Sequence, residues 1–203
     1  MDVNKKIVVA ICGASGSIYG IRLLKALLKN PINIYLIISS AGHKVLEHET
    51  GYSNESFFSF LKDKGITFNK KAQLHTYNQD DFFAPPASGS FRNDGMVIAP
   101  CSMKTLGAIA AGIADNLIHR AADVNLKEKR PLILLPRETP LNIIHLKNMY
   151  VAAKAGATIM PPSPSFYSNP ESISDLVDSV IARVLDQLQI EHNLVKEWGD
   201  SIV

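Results

Sequence analysis

Residues 6–28, KIVVAICGASGSIYGIRLLKALL, decide the fold. The run Ile7–Ile11 is apolar without interruption and reads as a strand; after Gly13-Ala14-Ser15-Gly16, apolar residues return at helical spacing. A glycine turn between a strand and a helix lets backbone N–H groups approach an anion. Three readings of the turn compete: a dinucleotide loop, a serine nucleophile elbow, or a loop for another phosphorylated or flavin-like ligand.

Further apolar runs at Ile32–Ile38, Met96–Ala99, Leu132–Leu135 and Thr158–Met160 repeat the pattern. Continuous runs without in/out alternation suit strands covered on both faces. Helical spacing falls at 17–29, 41–50, 103–127, 140–155 and 173–190. Strand and helix in alternation predict an α/β fold: three αβα layers over a mostly parallel sheet with right-handed crossovers. The 203 residues fit one domain, since domains run to roughly 100–200 residues. One domain is therefore expected over 1–203, with a C-terminal helix and tail over 172–203. Residues 51–94 read as an insertion, polar yet carrying all the phenylalanines except Phe166. A solvated linker has no use for so many rings, so this segment is expected to pack on the domain or on a neighbouring subunit.

A net charge of +2 argues against a dedicated nucleic-acid binder. Cys12 and Cys101 each end a predicted strand and read as small buried hydrophobes. With no signal peptide before the first strand and no apolar run near the ~18 residues of a membrane span, a cytoplasmic protein without membrane association is expected.

In parallel sheets ligands bind beyond the carboxyl ends of the strands. Those ends carry Gly13, Ala14 and Ser15; Ser39 and Ser40; Cys101, Ser102, Met103, Lys104 and Thr105; Arg137 and Glu138; and PPSPSFY ending at Tyr167. Hydroxyls with one adjacent cation and carboxylate suit a polar cofactor and a developing charge. Each has a plainer reading beside it. Ser102 can cap the next helix, Arg137-Glu138 can be a solvated pair, Tyr167 can be a packing residue, and Arg120 to Arg130 can be a solvated basic face.

The turn fails two of its three readings. A dinucleotide fingerprint places a glycine where Ser15 stands and an acid where Ser39-Ser40 stand. A nucleophile elbow, G-x-S-x-G, ends on glycine where Ser17 stands. There is no Walker A loop, and the residues around His48 do not form HExxH, so no metal is expected.

GASGSIYG (13–20), ISSAGHKVLEHETG (38–51), APCSMKTL (99–106), RAADVNLKEKRPLILLPRETPL (120–141) and MPPSPSFY (160–167) resemble the UbiX-type flavin prenyltransferases over nearly the whole chain. The resemblance implies a flavodoxin-like or Rossmann-like FMN-binding fold and a homododecamer. It implies that reduced FMN takes a dimethylallyl group from dimethylallyl phosphate at N5 and C6, without a metal. The prenylated FMN then serves a UbiD-type decarboxylase, as in ubiquinone biosynthesis. By motif, FMN contacts fall to Gly13, Ala14, Ser15, Ser39, Ser102, Met103, Lys104, Thr105 and Arg137. The isoprenyl phosphate falls to Lys127, Arg137, Glu138, Tyr167 and Arg183. Arg120, Glu49 and Trp198 match further pocket positions, with Ser15, Glu138, Glu49, Tyr167 and Lys127 as the catalytic set.

Those roles agree with elementary chemistry. Arg and Lys donors on a leaving phosphate strengthen as charge develops there, an aromatic face can shield an allylic cation, and a carboxyl beside them can move a proton. Asp80-Asp81 is only a pair, short of an aspartate-rich motif for magnesium pyrophosphate. The chain departs from many relatives at Ser39-Ser40, where they carry Ser-Lys, and at Gly42-His43. The rival is an FMN-dependent cysteine-decarboxylase-type enzyme. Those read PASANT where this chain has PCSMKT (100–105), and PxMNxxMW where it has PRETPLNIIHL (136–146).

Overall fold

The computed structural model describes residues 4–53, 56–167 and 169–195. In chain order the elements are β1 (Lys6–Ile11), α1 (Ser17–Leu28), β2 (Asn33–Ile38), α2 (Ser40–Thr50), α3 (Phe57–Asp63), β3 (Gln73–Asn78), β4 (Gly95–Cys101), α4 (Met103–Ala110), α5 (Leu117–Lys127), β5 (Leu132–Pro136), α6 (Ile143–Lys154), β6 (Thr158–Ile159) and α7 (Ile173–Gln187). All strand pairings are parallel, in the order β3-β2-β1-β4-β5-β6. This is the doubly wound arrangement of a Rossmann sheet, and its order reverses between β1 and β4.

The apolar runs of β1, β4 and β5 are continuous because both faces of the sheet are covered. Ile7, Val9 and Ile11 point into one layer with α1, α2, α3 and α7; Val8, Ala10 and Cys12 point into the other with α4, α5 and α6. Helix α7 buries Val177, Val180, Ile181, Val184 and Leu185, each worth about 1.5–3 kcal/mol by transfer out of water. Its start is fixed by a capping box, in which the Ser172 hydroxyl accepts from the Asp175 amide at 3.1 Å and the Asp175 carboxylate accepts from the Ser172 amide at 2.9 Å. Arg22 of α1 grips Asp178 of α7 through two bonds, one from Nε to Oδ1 at 2.7 Å, with both side chains largely buried.

The 51–94 segment packs on the domain and is more than an appendage. It contributes α3 and an edge strand, β3, which pairs with β2 from Asn33↔Gln73 to Ile38↔Asn78. The expected list of five strands lacked β3 because Gln73–Asn78 is a partly exposed edge strand with no apolar run to mark it. The expected single helix over 103–127 is two helices. Gly112, at φ 68°, ends α4 with its amide on Ile109 O, and the Asn116 side chain accepts from the His119 amide to start α5. Trp198 lies outside the described residues.

Asp178→Asn should cost about 2 kcal/mol of stability by urea denaturation, because it leaves the largely buried Arg22 guanidinium poorly matched. Asp186→Asn, which loosens the exposed Arg183 pair, should cost less than about 1 kcal/mol. Equal losses would show that burial does not distinguish the two pairs.

Candidate active site

The reversal of strand order leaves a cleft above β1 and β4. One wall is the turn after β1. Its conformation requires Gly16, whose φ of 105° is unfavourable for any side chain. No side chain of α1's own N-cap satisfies the first helical amides. Glu49, arriving from the far end of α2, does so instead: its carboxylate accepts from the Gly16 amide at 3.0 and 3.1 Å and from the Ser17 amide at 2.8 Å. The Ser15 side chain lies beside Glu49 and favours its charged form. Burial raises the pKa of this carboxyl, but the contacts with Ser15, Gly16 and Ser17 outweigh burial and hold the pKa below its ordinary value. Helix α2 comes this close because Gly42 has no side chain; a Cβ there would stand 2.5 Å from Ile11 O.

The amides of Gly13, Ala14 and Ser15 have no protein acceptor among the described residues. They are donors left over for a ligand, and the exposed Ser15 stands among them. Ser39 caps α2 by accepting from the Gly42 amide at 2.9 Å, and its own amide donates to Ile11 O. Across the cleft, Ser102 is the N-cap of α4, as its plainer reading had it, accepting from the Thr105 amide at 3.3 Å. Thr105 is buried behind the loop, its hydroxyl bonded to Ser102 and Cys12. Met103 and Lys104 open α4 at the rim. Both cysteines are free and buried. Burial pushes the Cys12 thiol up, and burial with Cys12 nearby pushes Cys101 well up; these are neutral packing groups, not nucleophiles.

Arg137 and Glu138 follow β5 directly, and the Arg137 amide donates to Cys101 O at 3.1 Å. The Arg137 stem reaches across to the turn, its Cδ 3.8 Å from where a Cβ on Gly16 would lie. Its Nε is buried without a partner. Glu138 is exposed, one oxygen accepting from the Thr139 amide. Tyr167 is exposed on the loop before α7. Unpartnered amides, hydroxyls and a guanidinium fit a polar flavin bearing an anionic phosphate.

Three expected cations are not brought to this cleft within one chain. Lys127 ends α5 at the edge where strands begin, bonded to Glu128 and lying 2.9 Å from where a Cβ on Gly89 would stand. Arg120 lies two turns earlier on the same helix face, bonded to Ala87 O and Asp123. Arg183 lies about 15 Å along α7 from its start, paired with Asp186. Reading the sequence also passed over Tyr19, whose ring lies against Gly16; its place on the first turn of α1 was the available signal. A separate crevice of about 470 Å³ lies between α2, α3 and β3, lined by Ser40, His43, Tyr52, Thr76 and Gln79 among others. No group of three or more potential metal ligands is found among the described residues, and no helix among them is long and apolar enough to cross a membrane.

The family profile described as Flavoprotein matches residues 1–185. The chain is similar to the flavin prenyltransferase UbiX of Halalkalibacterium halodurans, 45% identical over 202 residues that cover 99% of this chain and 97% of that one. Its fold is similar to that of AnUbiX (PadA1), solved in complex with FMN and dimethylallyl pyrophosphate, with a TM-score of 0.87 at 42% identity over 97% of this chain and 98% of that one. It is also similar to a dodecameric FMN-dependent UbiX-like decarboxylase from Escherichia coli O157:H7, with a TM-score of 0.85 at 43% identity over 95% and 98%.

The Glu49 contacts carry a pH signature. A carboxyl held below its ordinary value of 4.5 stabilises the fold above that pH, and the contribution fades as pH falls through the lowered value. Glu49→Gln should therefore melt below the native protein at pH 7, with the gap narrowing towards pH 4. Melting curves that stay a constant distance apart would contradict the role given to the charge.

Proposed function

Since the chain belongs to the UbiX-type flavin prenyltransferases of the flavoprotein family, we propose that the cleft between β1 and β4 joins a dimethylallyl group to reduced FMN. The observation that carries this reading is the pairing of the Ser15–Glu49 contact on one wall with the unpartnered Arg137 guanidinium beside it. Reduced FMN supplies the nucleophilic N5 and C6, and dimethylallyl phosphate supplies the carbon chain.

The amides of Gly13, Ala14 and Ser15, the Ser39 and Ser102 loops, Met103 and Lys104 hold the flavin, with Thr105 supporting Ser102 from behind. Arg137 and Tyr167 bind the phosphate of the donor. As the allylic C–O bond breaks, charge gathers on the departing phosphate, and the guanidinium stabilises it more than it stabilised the bound ester. The Tyr167 face shields the allyl cation. Ser15, its hydroxyl donating to Glu49, presents a lone pair outward and passes the N5 proton to that carboxylate. Glu138 gives a proton to the phosphate or accepts the one lost from C6. The cysteine-decarboxylase alternative is not favoured. Thr139–Leu146 stands where its asparagine-methionine motif belongs, and Lys104 where it carries asparagine.

Arg120, Lys127 and Arg183 act in this reading on the cleft of a neighbouring copy, so the site is shared between subunits. The surface around α6 supports that. Leu141, Ile143, Ile144, Leu146 and Tyr150 are exposed while Ala152 alone of the helix is buried, an apolar face that water disfavours. The homododecamer follows the assembly named for the Escherichia coli protein. Trp198 is assigned with the same group of pocket residues. Residues 1–203 act as one flavoprotein domain in a cytoplasmic enzyme whose product passes to a UbiD-type decarboxylase.

Anaerobic incubation with reduced FMN and dimethylallyl phosphate, followed by mass spectrometry of the flavin, tests the reaction. The expected result is one added five-carbon unit, and an unmodified flavin would overturn the reading. Glu138→Gln should slow this addition at least about tenfold while FMN stays bound. Loss of FMN from that variant would make Glu138 structural instead.

A further inference from the structure

We propose that Tyr19 is a positioning residue for the transfer: its ring holds the Arg137 stem against the Gly16 turn and aims the guanidinium into the cleft. The inference rests on the reading of Arg137 as a phosphate ligand.

Tyr19 sits on the first turn of α1, its amide bonded to Gly16 O at 3.0 Å. A Cβ built on Gly16 would stand 3.2 Å from Tyr19 Cδ2 and 3.8 Å from Arg137 Cδ. Ring and stem therefore border the same point, the space a Gly16 side chain would fill. Burial raises the pKa of the Tyr19 phenol, and the Arg137 charge opposes that rise. No protein acceptor is found for any Arg137 guanidinium nitrogen among the described residues, and Nε is sealed from solvent. The two terminal nitrogens remain as the donors available to a ligand.

An arginine without a carboxylate partner has no fork contact to fix its rotamer. An aromatic ring beside the stem is the alternative restraint, through burial of its methylene groups. The ring thus reduces the ordering that phosphate binding would otherwise impose. Gly16 is part of the same device. Its missing side chain leaves open the space that ring and stem both border, so the backbone bend and the aim of the cation share one residue.

Steady-state kinetics on the FMN-loaded enzyme, with dimethylallyl phosphate varied, tests this through a double-mutant cycle. Tyr19→Leu should raise KM for dimethylallyl phosphate about tenfold and lower kcat as well, because the guanidinium it aims also stabilises the departing phosphate. Tyr19→Phe, which keeps the ring, should stay near the native KM. In an Arg137→Lys background the same Tyr19→Leu change should move KM less than about twofold, because the restrained side chain is gone. An unchanged KM in Tyr19→Leu, or an equal factor in both backgrounds, overturns the inference while leaving the role of Arg137 intact. An unchanged KM in Arg137→Lys alone overturns the phosphate reading of Arg137 itself. Tyr19→Met is the second variant should the leucine protein fail to hold FMN.

Discussion

The carboxylate of Glu49, capping α1 from the far end of α2, is the contact on which the site depends. It satisfies the Gly16 and Ser17 amides and lies beside the Ser15 side chain. A helix start normally draws its cap from the residue before it. Here the preceding residue is Gly16, which must be glycine for the bend and has no side chain to offer. Supplying the cap from α2 ties two helices and the β1 turn into one unit. It also leaves the Gly13, Ala14 and Ser15 amides free for a ligand.

The order of the sheet does the rest. Because β1 and β4 are neighbours and their following helices lie on opposite faces, the two loops part and leave a cleft. The Cys101 carbonyl, holding the Arg137 amide, brings the loop after β5 to its side. One chain thus brings together the β1 turn and Arg137, which the proposed reading makes the flavin wall and a phosphate ligand. The rest of the cationic set stands on surfaces turned away from the cleft, and α6, which follows Arg137 and Glu138, exposes an apolar face. In the proposed reading a single subunit is half of a site, and assembly joins the halves.

Five of the six strands could be read from the sequence because burial on both faces forces uninterrupted apolar runs, as in Ile7–Ile11 and Leu132–Leu135. Strand β3 could not, since an edge strand with exposed positions, Gln73 to Asn78, has no such run. The break between α4 and α5 was hidden because Leu106, Ile109, Leu117 and Ile118 keep an apolar face on both sides of it. At the site, Ser15 and Ser102 were legible from their place after a strand. The grip of Glu49 on the turn was not, because it joins residues 33 positions apart and spacing says nothing of contacts between elements. The separation of Lys127 and Arg183 from the β1 turn was equally invisible, because a motif does not record where the fold places each of its residues.

A crystal structure of the protein with FMN and dimethylallyl phosphate bound would test the central claim most directly. Flavin N5 should lie within hydrogen-bond distance of the Ser15 hydroxyl, with Glu49 behind it and the donor phosphate on Arg137. A flavin seated away from the β1 turn, for example in the crevice between α2 and β3, would contradict it.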